Sequence, residues 1–78
     1  MLYDDHLDLG LRHISAGRAL IRRQIGVVRR LRALSLDTSV ALELLSTLRR
    51  TLAIEREHLA LIRQLRTEAL QRRKQGAA

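Results

Sequence analysis

Two long stretches of this chain carry apolar residues on a seven-residue repeat, and the six residues Leu34-Ser35-Leu36-Asp37-Thr38-Ser39 are the one convincing break between them. Two apolar stripes on such a repeat form the seam along which helices pack. In the first stretch Leu7, Ile14, Ile21 and Val28 make one stripe, and Tyr3, Gly10, Gly17, Gln24 and Leu31 make its companion. In the second, Leu45, Leu52, Leu59 and Arg66 run beside Ala41, Leu48, Glu55, Ile62 and Ala69. The pattern predicts an all-α antiparallel hairpin in a single domain, residues 1–78. Helix one is expected over about 5–33, capped by Asp4 or Asp5, then a turn over 34–38. Helix two is expected over about 39–75, with Asp37 the best N-cap, Thr38 and Ser39 its rivals, and Gly76 its stop.

Composition leaves this reading little competition. There is no proline, and β-branched residues form no alternating run that would suggest a strand. Cysteine is absent, and Tyr3 is the only aromatic residue, so the core must come from Leu, Ile, Val and Ala. Chains of 78 residues sit near the size at which one core supplies only about 3–5 kcal/mol and a disulfide, metal or partner is usually added.

The apolar surface is wider than one seam. A third stripe in helix one comprises His6, His13, Leu20, Val27 and Leu34, and in helix two Leu44, Thr51, His58 and Leu65, broadened by Val40, Ile54 and Leu61. Apolar faces about three stripes wide belong to helices with two helical neighbours. Two hairpins packed face to face in a two-fold symmetric four-helix bundle would supply the second neighbour. The expected homodimer interface is Leu20, Val27, Leu34, Leu44, Ile54, Leu61 and Leu65.

With the turn centred near residues 36–37, partners across the seam have numbers summing to roughly 73. Ile14 then faces Leu59, Ile21 faces Leu52, Val28 faces Leu45, Gln24 lies near Leu48, and Gly17 stands opposite Glu55. Gly10 and Gly17 on a core stripe imply close helix approach or room for a large side chain, whereas Gly26 faces solvent with no evident purpose. His13, Glu55 and His58 gather on one side. Glu55-x-x-His58 has the spacing that di-iron bundles use to aim two ligands inward, and the set would suit zinc or iron. Helix one offers no carboxylate at that level, so the plainer expectation is a polar cluster that fixes register, with Glu55 bonded to His13, His58 or Arg18. No cofactor is expected.

Charge is uneven. The net charge is +7, with fourteen Arg and one Lys, and between Leu9 and Leu36 seven arginines meet no acid. Arg22, Arg23, Arg29 and Arg30 are the densest group and could follow phosphates, making nucleic-acid binding the second functional expectation. No aromatic residues are interleaved for base stacking, so a solvated basic face is the plainer reading of the arginines. The acidic start and short apolar runs predict neither a secretion signal nor a membrane span, and a cytoplasmic protein is the expectation. No nucleophile–base pair or phosphate-cradling loop is present. The primary expectation is a non-catalytic homodimer acting as a protein-interaction, structural or regulatory module.

Several residues also resemble those of a group of very short bacterial proteins. They are Arg12-His13-x-x-x-Gly17-x-x-x-Ile21-x-x-Gln24, Leu31, Asp37-Thr38-x-x-Ala41-x-x-Leu44-Leu45, Leu52 and His58. The resemblance covers most of the chain and implies a helical hairpin without a known activity. Leu34-Ser35-Leu36 lacks the glycine such relatives carry before the turn, which leaves the tightness of the loop open.

Overall fold

The structure, a computed structural model, describes residues 2–77. Met1 and Ala78, the ends of the single-domain expectation, lie outside the described residues. Two helices, α1 (Leu2–Ala33) and α2 (Ser39–Ala77), fold back on each other into a rod of 68 × 15 × 12 Å. With each helix about 10–12 Å across, the rod is one layer of two helices.

The seam consists of the residues on the repeat. In α1, Ile14, Gln24 and Val28 are buried, while Leu7, Gly10, Gly17, Ile21 and Leu31 are half-buried. In α2, Ala41, Leu45, Leu52, Leu59 and Ile62 are buried, and Leu48, Glu55 and Ala69 are half-buried. Ile14, Leu52 and Leu59 form the central cluster, with Leu7 and Ile21 packed against it. A seven-residue repeat holds these positions toward the partner helix along the rod. No described side chain is less than 2% exposed, because a two-helix layer has no interior beyond its seam.

The seam glycines have a physical reason. A Cβ on Gly10 would lie 3.1 Å from the Leu59 Cδ1, and one on Gly17 would lie 3.4 Å from the Leu52 Cδ1. The leucines of α2 therefore occupy the space that a side chain on α1 would fill. Nothing lies within 4 Å of the position of a Gly26 Cβ.

α1 ends in a Schellman motif. The Leu36 amide donates to the Leu31 carbonyl at 2.8 Å and the Ser35 amide to the Arg32 carbonyl at 3.0 Å. That pair of bonds satisfies two carbonyls the helix would otherwise leave open. It requires a left-handed residue, which here is Ser35 at φ 57°. Glycine is the usual occupant because it has no Cβ to clash. The loop is tight without the expected glycine.

The helix ends differ from expectation in three ways. α1 already begins at Leu2, so Asp4 and Asp5 lie inside its first turn and do not cap it; there they face the partial positive charge of the terminal amides. At the start of α2, the Thr38 carbonyl accepts the first helical bond, from the Leu42 amide at 2.9 Å, which makes Thr38 the N-cap. Asp37 acts from one residue earlier, its Oδ1 accepting from the Ser39 amide at 3.0 Å and the Ser39 hydroxyl at 2.6 Å. Gly76 does not stop α2, since it keeps a negative φ and forms no left-handed cap.

One seam expectation also needs correction. Arg66, on a core stripe, is exposed; its Nε meets Asp4 Oδ1 at 2.9 Å, with both side chains nearly half open to water. Such a pair contributes about 0–1 kcal/mol and closes the open end of the hairpin weakly. Gln24 makes a bond that the repeat did not specify. Its Nε2 donates to the Ala41 carbonyl at 2.9 Å, one repeat nearer the turn than Leu48. A buried amide must find an acceptor, and a leucine side chain offers none.

Candidate functional site

The seam divides the hairpin surface into two long sides. On one, a groove of about 190 Å³ is lined by His6, Leu9, Gly10, His13, Glu55, His58, Leu59 and Ile62. On the other, a groove of about 350 Å³ is lined by Leu11, Ile14, Ser15, Arg18, Arg56, Leu59, Ala60 and Arg63. One side is apolar with histidines, and the other is basic.

The expected interface residues belong to the histidine side, where repeat and antiparallel direction set common levels. Leu34 and Val40 lie near the turn, followed outward by Val27 with Leu44, Leu20 with Thr51, His13 with His58, and His6 with Leu65. Leu20, Val27, Leu34, Leu44, Ile54, Leu61 and Leu65 are all exposed on the single chain, from 37% at Leu65 to 62% at Leu34 and Ile54. No lysine or arginine interrupts these two stripes between Leu34 and His6 or between Leu44 and Leu65. The basic side was not legible in the same way. Arg18, Arg56 and Arg63 come from both helices and meet only through the fold, so the arginine density of helix one gave no sign of them.

His13, Glu55 and His58 do line one groove, as their spacing predicts. Within a chain, however, they do not converge: among the described residues no three His, Cys, Asp or Glu side chains form a group able to hold a metal ion. Nor does Glu55 bond to His13, His58 or Arg18. Its Oε2 is covered and takes no hydrogen bond. That oxygen lies 3.5 Å from where a Gly17 Cβ would stand, in the room the glycine leaves, whereas both histidines are exposed.

Arg22, Arg23, Arg29 and Arg30 are all exposed on α1. The one ion pair among the described residues, Asp4 with Arg66, lies at the far end of the rod, so these arginines have no carboxylate partner. Asp37 is held below its ordinary carboxyl value, chiefly by the Ser39 hydroxyl and then by the Ser39 amide. Its work is structural. No described helix is long and apolar enough to cross a membrane.

No family model matches the chain, and no curated protein or solved structure matches it.

Proposed function

We infer that the protein is a non-catalytic self-association module whose working form is a homodimer, two hairpins joined through their histidine sides into a four-helix bundle. The supporting observation is the exposed apolar strip from Leu34 to Leu65, free of lysine and arginine and interrupted only by Thr51 and by the His13 and His58 level. Seven large side chains are each about half exposed, and covering what remains in water, at about 1 kcal/mol apiece, would contribute as much as one small core supplies. Contiguous apolar patches beyond a few hundred Å² mark interaction sites. A second copy is the occupant that needs nothing else, because the strip is complementary to itself.

Charge favours one arrangement. Residues 18–54, the half nearest the turn, carry eight arginines against Asp37 and Glu43, while the open half is nearly balanced. Turns at opposite ends of the bundle keep the two basic halves apart, and turns at the same end would bring them together. Sedimentation equilibrium of the full chain should give twice the 8.9 kDa chain mass at micromolar concentration. Leu20→Glu with Leu44→Glu should return it to one chain mass. A wild-type chain that is monomeric and fully helical at that concentration would refute the reading.

A further inference from the structure

The hairpin makes no use of Gly26: it lies mid-helix on the exposed side of α1, and nothing approaches it. It belongs to a ridge. Ala19, Gly26 and Ala33 recur at seven-residue spacing on the side of α1 turned away from the seam, and all three are exposed. Arg22 and Arg29 flank that ridge on one side, and Arg23 and Arg30 on the other. Two rows of unpaired guanidinium groups thus border a spine with almost no side chains. Neither a solvated face nor a bundle surface requires small residues there.

We propose that this outward ridge of α1 docks in the major groove of double-stranded DNA, with Arg22 and Arg29 on the phosphates of one strand and Arg23 and Arg30 on those of the other. The dimensions agree, since the major groove is about 12 Å wide and admits an α-helix about 10–12 Å across. A bare spine lets the helix sink far enough for arginines on both flanks to reach the backbones. Binding is independent of sequence, because Ala and Gly offer no hydrogen bond to base edges and the phosphate contacts carry no base information. Single strands fit poorly: stacking platforms are aromatic, and Tyr3 stands at the end of the chain away from this ridge. Duplex RNA fits poorly as well, its major groove being too narrow for side chains to read. The ridge faces away from the seam, so the binding does not depend on the dimer.

The test is fluorescence anisotropy of the full chain with a labelled random-sequence 20-base-pair DNA duplex, across about 50–200 mM salt. Four phosphate contacts per chain predict a slope of log K against log salt of about −3.6. Arg22→Gln with Arg29→Gln should bring it to about −1.8, whereas Arg56→Gln with Arg63→Gln, on the basic groove, should leave it unchanged. Gly26→Leu conserves charge and should weaken binding at least ~10-fold, whereas Gly26→Ala, which matches the rest of the spine, should bind as the parent does; circular dichroism confirms that each variant is folded. Equal losses from the two arginine pairs, or parental affinity for Gly26→Leu, would overturn the proposal. So would equal or tighter binding to single-stranded DNA, to duplex RNA, or to vesicles of phosphatidylglycerol and phosphatidylcholine. Sedimentation of the same samples separates a failed dimer from a failed DNA site.

Discussion

At Ser35 the cost of the turn is concentrated in one residue. A non-glycine residue in the left-handed region is disfavoured by roughly 1 kcal/mol, and Ser35 holds that conformation at φ 57° because two carbonyls of α1 are bonded only if it does. Ser35→Gly should therefore raise the thermal midpoint, with a gain of about 0.5–1 kcal/mol read from urea unfolding. The glycines provide a contrast. Gly26→Ala meets open space and should stabilise the helix by about 0.5–1 kcal/mol. Gly10→Ala meets the Leu59 Cδ1 at 3.1 Å, and Leu59 is buried at 5% exposure, so crowding should cancel or reverse the gain in helix propensity. Equal stabilisation by the two substitutions, measured side by side, would contradict this account of the seam. For Asp37 the sign follows from its lowered folded value. A depressed carboxyl stabilises the fold fully above its unfolded value, here 3.8, and that contribution disappears as the pH falls through the lower folded value. The difference in thermal midpoint between the parent and Asp37→Asn should accordingly narrow between about pH 5 and about pH 2.

Between the helices, two polar side chains fix the register in opposite ways. Gln24 is satisfied, its amide spanning the seam to the Ala41 carbonyl. Gln24→Ala removes the bond and leaves space, and should cost about 1–2 kcal/mol; Gln24→Leu, which replaces the bond with apolar volume, should cost less. Glu55 is not satisfied, since its Oε2 is covered without a partner. Glu55→Leu should therefore stabilise the protein by about 1 kcal/mol or more. A fall in stability would show that Glu55 finds a bond which the single chain does not display. Both residues stood on core stripes of the repeat, so their places were legible in the sequence. Their bonding was not, because a repeat specifies which side a residue occupies and not which acceptor its side chain reaches.

For the whole molecule the deciding quantity is the uncovered apolar side. A dimer makes stability depend on concentration by mass action, so the thermal midpoint should rise with each tenfold increase in chain concentration; one that stays constant over two decades would argue for a monomeric fold. The sequence alone determined the helical class, the place of the turn and the seam of each helix, because a seven-residue repeat without proline or a competing strand pattern leaves one regular solution. It could not determine the left-handed serine, the true cap of α2, the acceptor of Gln24, the unpartnered Glu55 oxygen or the basic groove shared by Arg18, Arg56 and Arg63. Each depends on atoms from separate turns or separate helices meeting in space. A linear pattern encodes direction around a helix axis, and only the packed pair sets distance.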